Sequence, residues 1–265
     1  MLRVGVFGAA GKMGREVCRA VHEDPECTLA AAVDPPASGR RVASVAGIAD
    51  NALTISDEPS AMLDAGCDVA VDFTVAASAL DNIRWCVRHA MHAVVGTTGL
   101  TGGQLEEIAA LIEEEGGESN VFVAPNFAIG AVLMMRFARV AAAWFPDAEI
   151  IELHHPSKRD APSGTSLATL EQIREGRANE PADEKGTEVL PGARGAERSG
   201  VHVHSVRLPG MVAHQEVIFG SPGQTLTIRH DSTDRTSFMY GVLLAVKEVA
   251  SHRGLTVGLE RLLRW

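Results

Sequence analysis

The sequence is poor in cysteine and in basic residues, and it has no long hydrophobic run. Its four cysteines, none of them in a Cys-x-x-Cys pair, argue against a disulfide-rich or cysteine-ligated zinc fold. Lys and Arg total 24 against 34 Asp and Glu, a formal net charge of −10. Nucleic-acid binding needs a basic face and anionic membrane surfaces attract basic segments, so we expect neither as a partner. No apolar stretch is long enough to span a bilayer.

The residues that are present are typical of a globular protein. Hydrophobic residues make up 46% and charged residues 22% of the 265 positions, which excludes disordered, collagen-like and low-complexity classes. A chain of this length forms one large domain or two ordinary ones. It opens on a strand-like run, without the basic and apolar regions of a signal peptide. We therefore expect a cytoplasmic protein whose cysteines are small buried thiols: Cys18, Cys27, Cys67 and Cys86.

The first half of the chain alternates strand-like and helix-like patterns. Short apolar runs predict strands at residues 2–7, 28–33, 69–73, 92–95 and 121–124. Helical spacing of apolar residues predicts helices at residues 12–22, 79–89 and 104–115. Such alternation is typical of a parallel sheet with helices on both faces, so we predict an α/β, Rossmann-like domain.

The pattern changes after Pro125. A predicted helix at 129–143 leads to a strand at 149–154, and strand-like runs follow at 201–208, 213–219 and 225–230 without a helix between them. We predict from this a second, α+β domain with a mixed or antiparallel sheet. Residues 174–200, rich in Gly, Pro, Ala and charge, predict a long loop. A last helix is predicted at 235–250.

A glycine-rich segment, Gly8-Ala9-Ala10-Gly11-Lys12-Met13-Gly14, follows the first predicted strand and begins the first predicted helix. Glycines let the backbone approach a pyrophosphate, and the N–H groups of the helix start face its oxygens. Asp34 ends the second predicted strand about 20 residues further on, where a carboxylate accepts hydrogen bonds from the adenosine ribose. We predict dinucleotide binding here; the alternative is an ordinary strand–helix turn.

The residues around Asp34 bear on which dinucleotide is bound. Its carboxylate favours NAD, because it repels the 2′-phosphate of NADP. Three cations could oppose this or be solvated surface charges: Lys12, Arg40 and Arg41. Asp72-Phe73-Thr74 and Gly96-Thr97-Thr98-Gly99 each follow a predicted strand. Both segments therefore fall at the carboxyl edge of the sheet, where ligands bind, although either could be a simple turn.

The segment at residues 152–165, Glu-Leu-His-His-Pro-Ser-Lys-Arg-Asp-Ala-Pro-Ser-Gly-Thr, is the richest in reactive groups. Its last residues predict a helix start. The amides of Gly164 and Thr165, with the Thr165 hydroxyl, would form an anion site worth about 0.3–1 kcal/mol at a surface and ~2 kcal/mol when partly buried. Lys158 adds a full charge, so together these groups could hold a carboxylate.

His154 and His155 end a predicted strand beside this anion site. Adjacent strand residues point to opposite faces, so one of the two is expected to reach the ligand, and a histidine can donate a proton near neutral pH. The alternatives are a capped strand end, half of a metal site and, for Lys158, a Schiff-base lysine. No third ligand with zinc spacing accompanies the histidines, so we predict no metal site.

Together these motifs resemble the dihydrodipicolinate reductase (4-hydroxy-tetrahydrodipicolinate reductase) family of the bacterial diaminopimelate route to lysine. The resemblance runs along nearly the whole chain, and its most specific part is the segment with two histidines, a lysine and Asp-Ala-Pro-Ser-Gly-Thr. It is carried by residues 8–14, 72–74, 96–99, 124–127, 152–155, 160–165 and 228–231 and by Arg235.

The resemblance implies that NADH or NADPH reduces 4-hydroxy-tetrahydrodipicolinate, by way of dihydrodipicolinate, to tetrahydrodipicolinate. Hydride would reach the ring carbon at the far end of the conjugated system, and His154 would be the general acid that protonates the resulting enamine. Lys158 would bind the substrate and stabilise developing charge. A substrate carboxylate would contact His155, Gly164 and Thr165. The cofactor-binding residues would be Gly8, Gly11, Lys12, Met13, Gly14, Asp34, Phe73, Thr74, Gly96, Thr97, Thr98, Ala124, Pro125, Asn126 and Phe127.

The resemblance also implies a dinucleotide-binding domain over residues 1–126 and 236–265, a substrate-binding and oligomerisation domain over residues 127–235, and a homotetramer. One departure concerns the cofactor. In some members of the family an arginine follows the acid that ends the second strand and can bind the 2′-phosphate. Here Pro35 follows Asp34, which weakens the case for NADPH.

Two other hypotheses account for part of the pattern. Another small-molecule NAD(P) dehydrogenase, acting on aspartate or homoserine, would account for the glycines and Asp34 but not for His154, Lys158 and the helix start together. A non-catalytic NAD(H)-sensing protein would bind the dinucleotide tightly without turnover. Oxidation of the reduced nicotinamide in the presence of freshly generated substrate separates the three.

Overall fold

The computed structural model describes residues 1–178 and 187–264, and these form two compact units. The first unit comprises Met1–Phe127 and Phe238–Trp265, and the second comprises Ala128–Ser237. In the described part of the chain, no helix is both long and apolar enough to cross a lipid bilayer.

Most of the regular elements lie within a few residues of the predicted ones, but four short elements were not predicted: the helices Val42–Ala46 and Ser60–Asp64 and the strands Ala196–Arg198 and Leu255–Val257. The strands are β1 (Leu2–Phe7), β2 (Cys27–Val33), β3 (Val69–Asp72), β4 (His92–Val95), β5 (Val121–Val123), β6 (Asp147–His154), β7 (Ala196–Arg198), β8 (Val201–Arg207), β9 (Ala213–Ser221), β10 (Gln224–Ser232) and β11 (Leu255–Val257). The helices are α1 (Lys12–Glu23), α2 (Val42–Ala46), α3 (Ser60–Asp64), α4 (Ala76–Arg88), α5 (Gly102–Glu114), α6 (Ile129–Ala142), α7 (Gly164–Gly176) and α8 (Met239–Glu248).

The first unit contains a parallel sheet in the strand order β11-β5-β4-β3-β1-β2. Every neighbouring pair is parallel, which confirms the Rossmann-like fold. All residues of β3 are buried, as expected of a Val- and Ala-rich strand covered on both faces. The chain order reverses at β1, which pairs with both β2 and β3. Ligands of such sheets bind beyond the carboxyl ends of the strands at this switch point.

The strand β11 was not predicted, because its three residues, Leu-Thr-Val, form neither a continuous apolar run like Val-Phe-Val of β5 nor an alternation long enough to recognise. It pairs in parallel with β5. The Asn120 side chain holds the chain that leads into β11. Its Nδ2 donates to the carbonyls of Val249 and Ala250, both at 3.0 Å, and its Oδ1 accepts from the Gly254 N–H at 2.9 Å.

The second unit contains a mixed sheet in the order β10-β9-β6-β8-β7, as predicted. The central strand β6 pairs in parallel with β8 and antiparallel with β9. One face of β6 carries Ala148 and Ile150 at its start and Glu152 and His154 at its end. The apolar start packs in a core with residues of α6 and α7, so the strand leads from that core to a polar end.

The predicted loop over residues 174–200 is wrong at both ends, whereas residues 187–195 contain no helix or strand, as predicted. Residues 179–186 lie outside the described residues. At its start, α7 continues to Gly176, because Ile173 is fully buried in the core. At its end, β7 pairs antiparallel with β8. The hairpin turn is Ser199-Gly200, and both residues have positive φ, 53° and 67°, as a type I′ turn requires.

The predicted helix at 235–250 is only partly correct. Its first turn, Arg235–Phe238, is a 3-10 helix, and α8 follows it directly. A second 3-10 turn, Val249–Ser251, comes after α8. Asp234 Oδ1 accepts from the Thr236 N–H at 2.6 Å, and the Ser237 hydroxyl donates to the Asp234 carbonyl at 2.8 Å. These local bonds compete with α-helical ones and keep the first turn tight.

Candidate active site

The glycine turn between β1 and α1 packs backbone directly against backbone. Gly8 has a φ of +71°, in the left-handed region, and its carbonyl accepts from the Gly11 N–H at 2.9 Å. A Cβ on Gly14 would lie 2.0 Å from the same carbonyl oxygen. Positions 8 and 14 therefore require glycine, and the start of α1 is held next to the end of β1.

A cavity of about 560 Å³ opens where β1, β2 and β3 end, at the switch point of the sheet. This volume suits a small-molecule site, typically about 300–1,000 Å³. Five of the predicted cofactor residues line it: Gly8, Gly11, Asp34, Phe73 and Thr74. The half-buried Asp34 carboxylate accepts from the Ala10 N–H at 2.8 Å through Oδ2. This bond fixes the carboxylate against the glycine turn.

The wall of the cavity is negatively charged. Asp57 and Asp81 line it together with Asp34. Three exposed cations could have opposed Asp34: Lys12, Arg40 and Arg41. All three are among the described residues, and none of them lines the cavity. Arg41 instead reaches the Asn51 carbonyl at 3.5 Å. The electrostatics at the adenosine end of such a site would therefore disfavour an additional phosphate.

A buried carboxylate, Asp72, organises the loops that follow β3 and β4. It is only 2% exposed. Its Oδ1 accepts from the Thr74 N–H at 2.8 Å, the Thr74 hydroxyl at 2.7 Å and the Thr97 hydroxyl at 2.9 Å, and its Oδ2 accepts from Asn82 Nδ2 at 2.7 Å. Two predicted cofactor residues, Thr74 and Thr97, are thus fixed through one side chain.

Phe73 connects the cavity to the remaining predicted residues of this edge. A Cβ on Gly96 would lie 2.1 Å from the Phe73 ring, so only glycine fits there. The Phe127 ring lies 5.8 Å from the Phe73 ring, centroid to centroid, and Phe127 itself is 2% exposed. The buried Ala124 donates its N–H to the Val95 carbonyl at 3.0 Å. Thr98 and Pro125 are exposed, and Met13 and Asn126 are half-buried.

In the second unit, the end of β6 brings His154 and Glu152 together. The side chains are two residues apart on one strand and therefore share a face. Nδ1 of His154 forms a short hydrogen bond with Oε2 of Glu152, and Glu152 is fully buried. An ionised carboxylate only accepts hydrogen bonds, so Nδ1 carries the proton and Nε2 is left for chemistry.

Arg207, at the end of β8, binds the same carboxylate with two parallel bonds. Its two terminal nitrogens donate to Glu152 Oε2 at 2.8 Å and to Oε1 at 2.7 Å. One of them also donates to the Asp160 carbonyl at 2.7 Å. In the parallel register, Arg207 lies directly opposite His154. The guanidinium fork thus joins two strands and the segment before α7.

The pKa values at this strand end follow from burial and from these partners. Burial alone would raise the pKa of Glu152, but the hydrogen bonds from Arg207 and His154 outweigh it and hold that pKa below its ordinary value. Burial lowers the pKa of His154, and the bond to Glu152 only partly opposes this. The positive charges of Lys158 and Arg207 lower the His154 pKa further. Its imidazole is therefore neutral at pH 7.

Lys158 is held by an acid of its own segment. Its ammonium donates to both carboxylate oxygens of Asp160, at 2.9 and 2.8 Å. The hydrogen bond from Lys158 lowers the pKa of Asp160. His155 is exposed and pairs through Nδ1 with the Ser157 hydroxyl at 2.8 Å. The two histidines therefore face different surroundings, and His154 is the one held by buried groups.

The helix α7 begins at Gly164, with Ser163 as its N-cap. The Ser163 hydroxyl accepts from the Ser166 N–H at 3.1 Å, and the Ser163 N–H donates to Glu152 Oε1 at 3.2 Å. Gly164 and Thr165 thus occupy the first turn, where a helix favours an anion. Glu152 ties this turn to His154, so the structure brings His154 and the predicted anion site together.

Three residues that matter here were missed by the sequence analysis. Glu152 and Asp72 both stand in the quoted motifs, and each has a usable signal. Asp72 ends the apolar strand β3, and Glu152 continues the alternation of Ala148 and Ile150 on the core-facing side of β6. Arg207 has no such signal, because its partner Glu152 lies 55 residues away in the sequence. Only the pairing of β6 with β8 brings the two together.

Comparison with known families accounts for the chain from end to end. Residues 2–127 match the dihydrodipicolinate reductase N-terminus, and residues 130–263 match the dihydrodipicolinate reductase C-terminus. The chain belongs to the dihydrodipicolinate reductase family.

Individual relatives and structures agree with this family. The 4-hydroxy-tetrahydrodipicolinate reductases of Mycolicibacterium smegmatis and Corynebacterium diphtheriae are each 48% identical to this chain; the matches cover 99% of it and 99% and 98% of the relatives. A dipicolinate-bound dihydrodipicolinate reductase from Paenisporosarcina sp. TG-14 superimposes with a TM-score of 0.86 at 40% identity, covering 99% of this chain and 100% of that one. An amine dehydrogenase from Mycobacterium smegmatis, at 14% identity and a TM-score of 0.68, shares the fold alone.

Gly14→Ala should lower the free energy of unfolding by about 1–3 kcal/mol, as overpacking does, because the new Cβ would meet the Gly8 carbonyl. Gly103→Ala is the matched control. Gly103 lies in α5, where an added Cβ would meet only open space, so alanine there should be neutral or stabilise by up to about 1 kcal/mol. Urea unfolding at one pH compares the two. Equal stability of both variants would show that the glycine turn has room for a side chain.

Proposed function

We propose that this protein reduces 4-hydroxy-tetrahydrodipicolinate, by way of dihydrodipicolinate, to tetrahydrodipicolinate, the reductase step of the diaminopimelate route to lysine. The observation that carries the proposal is the joining of His154 to the first turn of α7 through Glu152, with Lys158 in the same segment. The full-length relatives named for this reaction support it. The first unit binds NADH or NADPH, and the second binds the dicarboxylate.

The residues of the first unit suit a dinucleotide. The cavity at the switch point is lined by the glycine turn and by Asp34. The glycine turn admits a pyrophosphate, and Asp34 accepts hydrogen bonds from the adenosine ribose. The edge built from residues 96–98 and 124–127 lies next to Phe73 and lines the nicotinamide end. When bound, NADH or NADPH supplies the hydride.

The residues of the second unit bind and protonate the substrate. A substrate carboxylate takes the place of Asp160 on the Lys158 ammonium and contacts the amides of Gly164 and Thr165 and the side chain of His155. Hydride addition to the conjugated ring leaves an enamine, whose carbon needs a proton. His154 donates that proton from Nε2, because Nδ1 is bound to Glu152. The imidazolium form of His154 is the acid, and it becomes the neutral imidazole once it has donated the proton.

The assembly and location proposed are a homotetramer in the cytoplasm. The tetramer forms through the sheet of the second unit, in which β10, one of the two edge strands described, exposes most of its residues. The four cysteines are free thiols, as expected in a reducing compartment. Sedimentation equilibrium of the purified protein tests the tetramer, and a monomer at micromolar concentration would contradict it.

The test of the activity is a direct assay. The protein is mixed with NADH or NADPH and freshly generated 4-hydroxy-tetrahydrodipicolinate, and the absorbance of the reduced nicotinamide is followed. We expect substrate-dependent oxidation. Tight binding of NADH without turnover would favour a dinucleotide sensor, and turnover only with another substrate would favour a different dehydrogenase.

Wild-type protein should show a higher kcat/KM with NADH than with NADPH, because three carboxylates line the cavity. Asp34→Asn should narrow this preference about tenfold or more, since one unit charge near a phosphate is worth more than 1 kcal/mol at reduced dielectric. Asp64→Asn, which removes an exposed charge outside the cavity wall, is the control. A preference for NADPH in the wild type would contradict the assignment.

Lys158→Ala should raise KM and lower kcat, because the ammonium acts on both the bound substrate and the developing charge. A charged hydrogen bond is worth about 1.5–3 kcal/mol, so the Kd of dipicolinate should also rise about tenfold or more. Arg174→Ala, which removes an exposed cation paired with Glu171 on α7, is the control. Calorimetric titration with dipicolinate gives the Kd, and unchanged binding would remove Lys158 from the site.

His154 should determine the pH dependence. The proton donor must be protonated, so kcat/KM should fall as the pH rises through the pKa of free His154, which burial holds below its ordinary value. Bound dicarboxylate raises that pKa, so the fall in kcat should lie at higher pH. His154→Ala should remove this dependence and lower kcat about 100-fold or more. A flat profile in the wild type would mean that water or another group donates the proton.

A further inference from the structure

We propose that Glu152 is a positioning residue that fixes the tautomer and the ring orientation of His154, and that Arg207 holds Glu152 in place for this role. The inference rests on the proposed function, in which His154 donates a proton. Glu152 and Arg207 both act through His154, and neither needs to touch the substrate.

Glu152 contacts His154 directly. The carboxylate is fully buried, and its Oε2 accepts from Nδ1 of the imidazole. No solvent reaches this carboxylate to replace the imidazole, so breaking the bond would leave a buried charge short of a donor at a large cost in free energy. The ring is thus held in one rotamer, with Nε2 as the nitrogen that faces away from Glu152.

Arg207 holds the Glu152 carboxylate with two hydrogen bonds. Both oxygens of Glu152 receive a guanidinium N–H, at 2.8 and 2.7 Å. This pair keeps the carboxylate ionised and sets its plane. The same guanidinium holds the carbonyls of Val206 and Asp160, at 2.8 and 2.7 Å, so the carboxylate is fixed relative to both β8 and the segment of Lys158.

Glu152 also binds the start of α7, because the Ser163 N–H donates to Glu152 Oε1 at 3.2 Å. Ser163 caps α7, and the first turn of α7 is the proposed anchor for a substrate carboxylate. One buried carboxylate therefore sets the position of the proton donor relative to the anchor. The charged groups that act on His154 come from three segments: Glu152 on β6, Lys158 in the following loop and Arg207 on β8.

A glutamine at position 152 would keep the size of the side chain but not its role. Its amide can donate as well as accept, and it carries no charge for Arg207 or for the protonated imidazole. Nδ1 of His154 would no longer be forced to carry the proton, and the imidazolium would lose its counter-ion.

The test measures the tautomer directly, by ¹⁵N NMR of histidine-labelled protein, with the His154 signals assigned by their loss in His154→Ala. In the wild type we expect the Nδ1–H tautomer of neutral His154. In Glu152→Gln we expect a mixed or reversed tautomer and a His154 titration at lower pH. We further expect kcat to fall about tenfold or more, while the Kd of dipicolinate changes less than threefold. Glu152→Asp, which keeps the charge, should restore part of the tautomer preference and of kcat.

Glu149→Gln is a matched control, because Glu149 also lies on β6 and also binds an arginine and a histidine. It accepts from Arg194 at 2.7 Å and pairs with His204 at 2.9 Å. This substitution should leave the His154 tautomer, its titration and kcat unchanged.

The outcomes separate the two proposals. Absence of reductase activity in the wild type would contradict the proposed function, but the tautomer measurement would still decide the role of Glu152. An Nε2–H tautomer in the wild type would overturn the inference, even if Glu152→Gln does not fold. An active wild type whose tautomer, titration and kcat are all unchanged by Glu152→Gln would overturn it as well.

Discussion

The buried carboxylate of Glu152 is the constraint on which the end of β6 depends. An ionised carboxylate inside a protein costs several kcal/mol unless its oxygens are fully paired. Here the oxygens receive the Arg207 fork, the His154 imidazole and the Ser163 N–H. Each donor comes from a different part of the second unit, so the stability of one charge requires the ends of two strands and the start of α7 to be in place together.

The first unit applies the same device with another acid. Asp72 ends β3, and its buried carboxylate gathers two hydroxyls, one backbone N–H and the Asn82 amide. The loops after β3 and β4 are thereby fixed at the carboxyl edge of the parallel sheet. In both units a buried carboxylate stands at or near the end of a strand, at Asp72 in β3 and at Glu152 in β6. The groups proposed to meet ligands are neighbours of that carboxylate rather than the carboxylate itself.

This placement explains which parts could be predicted from the sequence. The strand–glycine–helix pattern of residues 2–22 is local, and so are the strand end with His154 and the helix start after Ser163. The hairpin at Ser199-Gly200 was missed because a short exposed strand such as β7 carries no apolar alternation. Arg207 was missed for a different reason. Its function depends on the register of β6 against β8, which is a long-range property that no spacing along the chain reveals.

The charges around His154 make its protonation depend on the ligand. In the free protein, burial and the cations Lys158 and Arg207 outweigh the attraction of Glu152, and the pKa of His154 is lowered. A dicarboxylate bound at Lys158 would add negative charge beside the imidazole, which raises the pKa of His154. Under the proposed function, the acid would therefore take up its proton as the substrate arrives. Glu152 makes this possible, because it offers the imidazolium a partner that is already fixed and already ionised.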